Sequence, residues 1–186
     1  GMRNLISGNG GGTGGLFVTD ISATGNVISG NYIGTDVTGT AAIPNAFSGI
    51  YLGTNVNNLL IGTNADGVND LAERNLISGN INDGITFGFT NAATPFNVTV
   101  AGNYIGTDVS GTFALPNSDS AVYLNGSGHR IGTNSDGIND AAERNLLSGN
   151  RQSGVTLSFA GIPAIDTNNL VAGNYIGTQA DGVSPL

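Results

Sequence analysis

The chain has 186 residues, 13 acids, five arginines and no lysine, for a formal net charge of -8. A surface without lysine is a poor electrostatic partner for phosphate backbones or anionic lipid, which argues against nucleic-acid binding and membrane attachment. No cysteine is present to form a disulfide or a thiolate metal site, and no apolar run is long enough to insert across a bilayer.

Thirty-one glycines and 25 asparagines bound many short apolar runs, and both residues tolerate the positive φ that tight corners need. In chain order, Gly1-Met2 reads as a cloning remnant, so residues 1–2 are set apart from a single domain at 3–186. "RNLISGN" at Arg3–Asn9 returns at Arg74–Asn80 and, as "RNLLSGN", at Arg144–Asn150. "GNYIGT" occurs at Gly30–Thr35, Gly102–Thr107 and Gly173–Thr178, which divides the domain into units 3–73, 74–143 and 144–186. Within each unit an Asn, an apolar pair, a small residue and a Gly recur, as at Asn4–Gly8, Asn26–Gly30 and Asn58–Gly62. A second pattern places one aliphatic residue two positions before another apolar one: Ile50-Tyr51-Leu52, Ile85-Thr86-Phe87, Val122-Tyr123-Leu124 and Val155-Thr156-Leu157. Alternation this short, with Gly or Asn at both ends, is strand chemistry. Only "NDLAER" (Asn69–Arg74) and its copy have room for a helical turn.

Short strands that return in register predict an all-β fold, a right-handed single-stranded parallel β-helix (β-solenoid). Eight glycine marks predict about eight rungs, three per 71-residue unit, or roughly 38 Å of stack at ~4.8 Å per rung. Asn recurring at a corner predicts an internal ladder of side-chain amides. A β-sandwich of duplicated hairpins explains the turns but not the register.

The pattern N-x-[IV]-x-x-N-x-[IV]-G followed by G-[IV]-x-[LF] resembles the parallel β-helix repeat of the pectate-lyase-like superfamily, with Asn26, Ile28, Asn31, Ile33, Gly49, Ile50 and Leu52 in place. "IGTDVTGTAAIPN" (Ile33–Asn45) resembles a recurrent element of large bacterial β-helix surface proteins. The resemblance implies an extracellular or cell-surface bacterial protein, and it is specific for fold rather than activity, since this fold carries lyases, hydrolases, adhesins and stalks alike.

Two loops invite a chemical reading. In Asn64–Glu73 and Asn134–Glu143, the order of Asn64, Asp66, Val68, Asp70 and Glu73, and of Asn134, Asp136, Ile138, Asp140 and Glu143, follows a calcium-loop pattern, with the Val68 and Ile138 carbonyls as ligands. The first ligand position is Gly62 or Gly132, which offers no side chain. The same residues also read as a metal-free turn, with Asp70-x-x-Glu73 and Asp140-x-x-Glu143 as capping boxes. Asp36 and Asp108 in the "GTD" loops read as side-chain caps.

A catalytic residue should break the repeat, because an active site occurs once. The non-repeated polar residues are Asp20, Asp83, Asp119, His129, Arg130, Arg151 and Asp166; no two acids fall at related positions of adjacent rungs, and His129 reads as solvated in its turn. Arg3, Arg74 and Arg144 repeat, and read as structural partners of Glu73, Glu143 or carbonyls. Tyr51, Thr86, Tyr123 and Thr156 should share one outward face, where tyrosines stack on sugar rings or simply cover the solenoid. The sequence therefore favours a non-catalytic structural or adhesive segment of a larger protein, stabilised by calcium and binding a polysaccharide or cell-surface ligand. A polysaccharide-active lyase or hydrolase is the alternative. Repeats that break off mid-unit predict end-to-end self-association.

Overall fold

A computed structural model describes residues 3–20, 24–88, 94–157 and 166–186, so Gly1 and Met2 lie outside it. The first coil contains β1 (Leu5–Ile6), β2 (Leu16–Val18) and β3 (Val27–Ile28), and the second β4 (Tyr32–Ile33), β5 (Ile50–Leu52) and β6 (Leu60–Gly62). After the helical turn α1 (Asp70–Glu73), the third contains β7 (Leu76–Ile77), β8 (Ile85–Phe87) and β9 (Thr99–Ala101). The fourth contains β10 (Tyr104–Ile105), β11 (Val122–Leu124) and β12 (Arg130–Gly132). The turn α2 (Asp140–Glu143) precedes β13 (Leu146–Leu147), β14 (Val155–Leu157) and β15 (Leu170–Ala172), and β16 (Tyr175–Ile176) opens a sixth.

Every strand pairs with the one three places on, always in parallel, giving sheets of six, five and five strands. This is a right-handed parallel β-helix. It has five full coils and the start of a sixth, not eight, and each 71-residue repeat is two coils rather than three. The expected count failed because the Asn–Gly mark occurs at two corners of one coil: Gly30 follows β3 of the third sheet, whereas Gly79 follows β7 of the first. Six strands at ~4.8 Å spacing make a stack of about 24 Å.

Period-2 alternation sends one residue of each pair inward. Ile33, Ile77 and Ile105 stack in the first sheet, Ile50, Ile85 and Val122 in the second, and Ile61, Val100 and Ile131 in the third, all fully buried. Leu52 is buried, whereas Ile28 is only half-buried, because the first coil is covered on one side alone.

Two asparagine ladders bracket the first sheet. One runs Asn4, Asn31, Asn75, Asn103, Asn145, Asn174, each Nδ2 donating to the next Oδ1 at 2.7–3.1 Å. The other runs Asn9, Asn45, Asn80, Asn117, Asn150 at 2.8–2.9 Å. The same Oδ1 atoms also accept backbone N–H groups, as Asn103 does from Asn75 N (3.2 Å), while Asn103 Nδ2 donates to the Ile61 and Ala101 carbonyls. The "IGT" glycine makes room for the second ladder: Gly106 has φ +93°, and a Cβ there would come within 2.3 Å of the Asn150 amide.

The repeated arginines brace the corner before the first sheet. Arg3, Arg74 and Arg144 donate through Nε to the carbonyls of Gly30, Gly102 and Gly173 at 3.3, 3.1 and 2.8 Å. Carbonyls, not Glu73 or Glu143, are their partners. Glu143 instead meets Arg130 at 2.7 Å.

Asn103→Leu tests the ladder. It removes the acceptor of two buried donors on Asn75 and the donor to two carbonyls, at ~1–3 kcal/mol for each group left unpaired. Denaturant titration should show a loss of about 3 kcal/mol or more; a loss near zero would mean that the ladder contributes nothing to stability.

Candidate functional site

The two helical loops are nearly superimposable in their bonding. In the first, Asp66 Oδ1 accepts Val68 N (2.7 Å) and Asp66 Oδ2 the Asn64 amide (3.1 Å), while Asn64 Oδ1 accepts Asp66 N (3.0 Å). Asp70 takes the Thr63 hydroxyl (3.1 Å), and Glu73 reaches back to Asn64 N (3.0 Å). In the second loop Asp136, Asp140 and Glu143 make the same bonds to Ile138 N, the Thr133 hydroxyl and Asn134 N at 2.8, 2.6 and 2.9 Å. Each carboxylate thus serves a different donor. Among the described residues no three acidic or histidine side chains group as a metal site. Val68 and Ile138 are exposed.

The capping-box expectation also needs correction. The helical turns are preceded by Asn69 and Asn139 in the left-handed region (φ 63° and 56°), without a side-chain cap, and Asp70 and Asp140 are already helical. The glutamate caps the start of the loop, not of the helix. Gly62 is a backbone necessity rather than a missing ligand: at φ +109° a Cβ would lie 1.8 Å from the Ala101 carbonyl oxygen.

The GTD loops carry the side-chain caps expected of them. Asp36 Oδ1 accepts Thr40 N and Ala41 N at 3.0 and 3.1 Å, and Oδ2 accepts the Thr38 hydroxyl at 2.6 Å. The Thr38 hydroxyl, then the Ala41 N–H, draw its pKa down to about 2. Burial pushes Asp108 upward, but bonds from Ser110, Phe113 and Thr112 outweigh it and the net shift is down. Loops of one kind touch across the intervening coil. Val109 N donates to Gly39 O and Ala180 N to Gly111 O, both at 3.0 Å, and Asn139 Nδ2 reaches Ala65 O at 2.9 Å.

The second sheet brings Tyr51, Thr86, Tyr123 and Thr156 into one outward rank, extended by Phe17. Tyr51 lies between Phe17 and Phe47, with ring centroids 5.6 and 5.9 Å away. Tyr51, Tyr123 and Thr156 are half-buried, but Thr86 is fully covered. Beside this rank lies an arrangement absent from the sequence reading. Asn82 and Asp83 align with Asp119 and Ser120, so two non-repeated acids occupy neighbouring positions on adjacent coils. Asp83 is buried; its Oδ2 accepts the Thr86 hydroxyl (2.7 Å) and its Oδ1 Ser120 N (3.1 Å). Burial raises the Asp83 pKa, those two bonds oppose the rise, and the Asp119 charge adds to it. The Ser48 hydroxyl, 2.6 Å from Thr86 Oγ1, extends the chain of bonds. Sequence spacing missed the pair because loop lengths differ between coils; only the register aligns them.

His129 is buried, not solvated. It stands in the inward column of Leu59 and Val98, edge-on to Phe87 at 4.7 Å, and its Nδ1 accepts Val98 N at 3.1 Å. Burial depresses its pKa to about 4. It is a core residue.

No protein-family model, curated protein or solved structure matches the chain. Among the described residues no helix is long and apolar enough to cross a membrane.

Melting curves with and without a chelator should coincide, and Asp66→Ala should cost about 0.5–1.5 kcal/mol under both conditions, as the loss of an internal acceptor. A melting temperature raised by calcium, and no longer raised after Asp66→Ala with Asp136→Ala, would show that the loops re-form around an ion.

His129 generates a second test. Its folded pKa lies below the ordinary histidine value of 6.5, so the unfolded chain takes up the proton first. Its contribution is complete above about 6.5 and is lost as pH falls toward 4, on the order of 3 kcal/mol in all. His129→Leu should remove the slope between pH 6.5 and 5, whatever it does to stability at neutral pH; an unchanged slope would place the proton elsewhere.

Proposed function

We propose that the chain is a non-catalytic, structural and adhesive β-helix of a secreted or cell-surface protein, built like the pectate-lyase-like superfamily and engaging glycans on its second sheet. The observation that carries this reading is the state of the non-repeated acids. Asp83 is buried and accepts from the Thr86 hydroxyl and Ser120 N, as a buried polar group requires. Asp166 accepts Gly126 N at 2.6 Å. Acids that hold neighbouring donors serve the scaffold. The outward rank of Phe17, Tyr51 and Tyr123 offers aromatic surface for sugar rings beside the half-buried Thr156.

The second reading, a polysaccharide-active enzyme, draws on one feature, the adjacency of Asp83 and Asp119 with a raised Asp83 pKa. Retention on immobilised polysaccharides, with assay of the eluate for cleavage, separates the two. The adhesive reading expects retention without cleavage, weakened about two- to tenfold by Tyr51→Ala or Tyr123→Ala, from ~0.5–1.5 kcal/mol per stacked ring. Cleavage that disappears in Asp83→Asn or Asp119→Asn would establish the enzyme instead.

The reading extends to end-to-end self-association. In the last coil Leu157, Val171 and Ile176 hold inward register positions yet are exposed. Parallel pairing with a further coil, of a longer chain or of another copy, would cover them.

A further inference from the structure

The outward face of the first sheet carries a groove that lies apart from the second sheet. By register its outward rank runs Leu5, Tyr32, Leu76, Tyr104, Leu146, Tyr175. Each tyrosine carries a guanidinium: Arg3, Arg74 and Arg144 lie 4.1, 3.9 and 4.3 Å over the rings of Tyr32, Tyr104 and Tyr175. The helical loops wall one side with Leu71 and Ala141, and the GTD loops wall the other with Val109 and Ala180. Two hollows share the stacked pair Arg74 and Tyr104 as lining and so follow one another along the axis.

Three of the chain's five cations stand in this row, although the net charge is -8. None has a carboxylate partner among the described residues; the ion pair found there is Arg130–Glu143. The bonds of Arg3 and Arg74 to described residues are made by Nε alone, and Arg144 uses Nε and, toward the Tyr175 hydroxyl at 2.9 Å, Nη1, so each five-donor fork keeps donors for a ligand. Stacking on tyrosine fixes the plane of that fork, and a fixed fork suits a carboxylate.

The spacing selects the ligand. A guanidinium recurs every second coil, at ~9.4–9.8 Å for strands ~4.7–4.9 Å apart. An extended β-strand peptide repeats its face every ~6.6–6.8 Å and falls out of step at once. A polyproline II helix repeats its face every third residue, at ~9.3 Å. The mismatch is below about 0.5 Å per step, and such a chain is already extended before it binds. We propose that the groove binds an extended proline-rich peptide carrying an acidic residue at every third position.

The intervening prolines meet the apolar walls, and the acidic residues meet Arg3, Arg74 and Arg144 in turn. Sparse charge also suits a protein whose net charge repels a densely anionic polymer. The inference stands apart from the glycan reading, which concerns another sheet and is tested by retention on polysaccharide.

The test is fluorescence anisotropy with a labelled peptide of three Pro-Pro-Glu repeats. An isomer with its three glutamates adjacent and an acidic polyuronate serve as comparisons. The repeat peptide should bind about tenfold more tightly than the isomer, the difference made by about one charge-assisted bond. Arg74→Gln and Arg144→Gln should each weaken it about tenfold, and Arg151→Gln, outside the groove, should leave it unchanged. Because the arginines also brace glycine carbonyls, each variant is checked for an unchanged circular dichroism spectrum. The isomer comparison uses the unaltered protein and stands even if a variant unfolds. Equal binding of the two peptides, tighter binding of the polyuronate, or no binding of the repeat peptide would each overturn the proposal.

Discussion

The constraint on which the rest depends is the need to satisfy a buried carboxamide at each coil corner. A primary amide in an apolar interior costs several kcal/mol unless its donors and acceptor are met. Here the partner is the same residue one coil away, so Asn75 is satisfied only if Asn31 and Asn103 stand directly before and after it. A slip of the third coil by one residue would leave these amides unpaired and turn Ile77, Ile85 and Val100 outward together. The ladders therefore set the register, and the aliphatic stacks follow. The apolar contacts supply most of the driving force, but they are non-directional and would tolerate a slip.

Fixed corners explain why insertions concentrate where they do. The GTD loops leave after the first sheet and return at Asn45 and Asn117, so each excursion begins and ends on ladder-held backbone. The helical loops leave after the third sheet and return at Asn75 and Asn145. Both kinds of loop leave from the second and fourth coils and the coils between carry neither, which is why two coils rather than one make the repeat. Each kind of loop rests on its copy across the intervening coil, through Val109 N to Gly39 O and Asn139 Nδ2 to Ala65 O. The loops become ridges along the axis, and the floor between them becomes a groove with the period of the repeat.

Much of the fold was legible because it rests on local, repeated chemistry. Asn and Gly at the corners, with aliphatic residues two apart in the strands, stated the parallel stack and the ladder. The coil count was not legible, since Gly30 and Gly79 end the same local motif on different sheets. The site was less legible, for a related reason. Tyr51 and Thr86 follow a strand pattern that reveals its outward face, whereas Asp83 and Asp119 become neighbours only once loops of unequal length are counted out. His129 lacked a signal of another kind: its turn-like neighbours Ser127 and Gly128 suggested water, but its register with Val98 places it inside. Arg74 and Tyr104 each repeat, so each looked structural alone, and their stacking needs the coil length to be seen.

The acids of the helical loops show how one residue pattern arises from two demands. A calcium loop needs oxygens that converge, and a tight non-helical loop needs oxygens that diverge toward its own N–H groups. Asn64, Asp66, Asp70 and Glu73 supply the second need: three successive odd positions, Ala65, Gly67 and Asn69, adopt positive φ, so N–H groups turn in different directions and each finds its own acceptor. Sequence spacing alone does not separate these cases, because both place Asp, Asn and Gly at alternate positions. In this structure the Thr63 hydroxyl donates to Asp70, and in the second copy Arg130 pairs with Glu143. The carboxylates that resembled a cation site thus fasten the wall of the groove. The cationic side chains, few as they are, are left to line its floor.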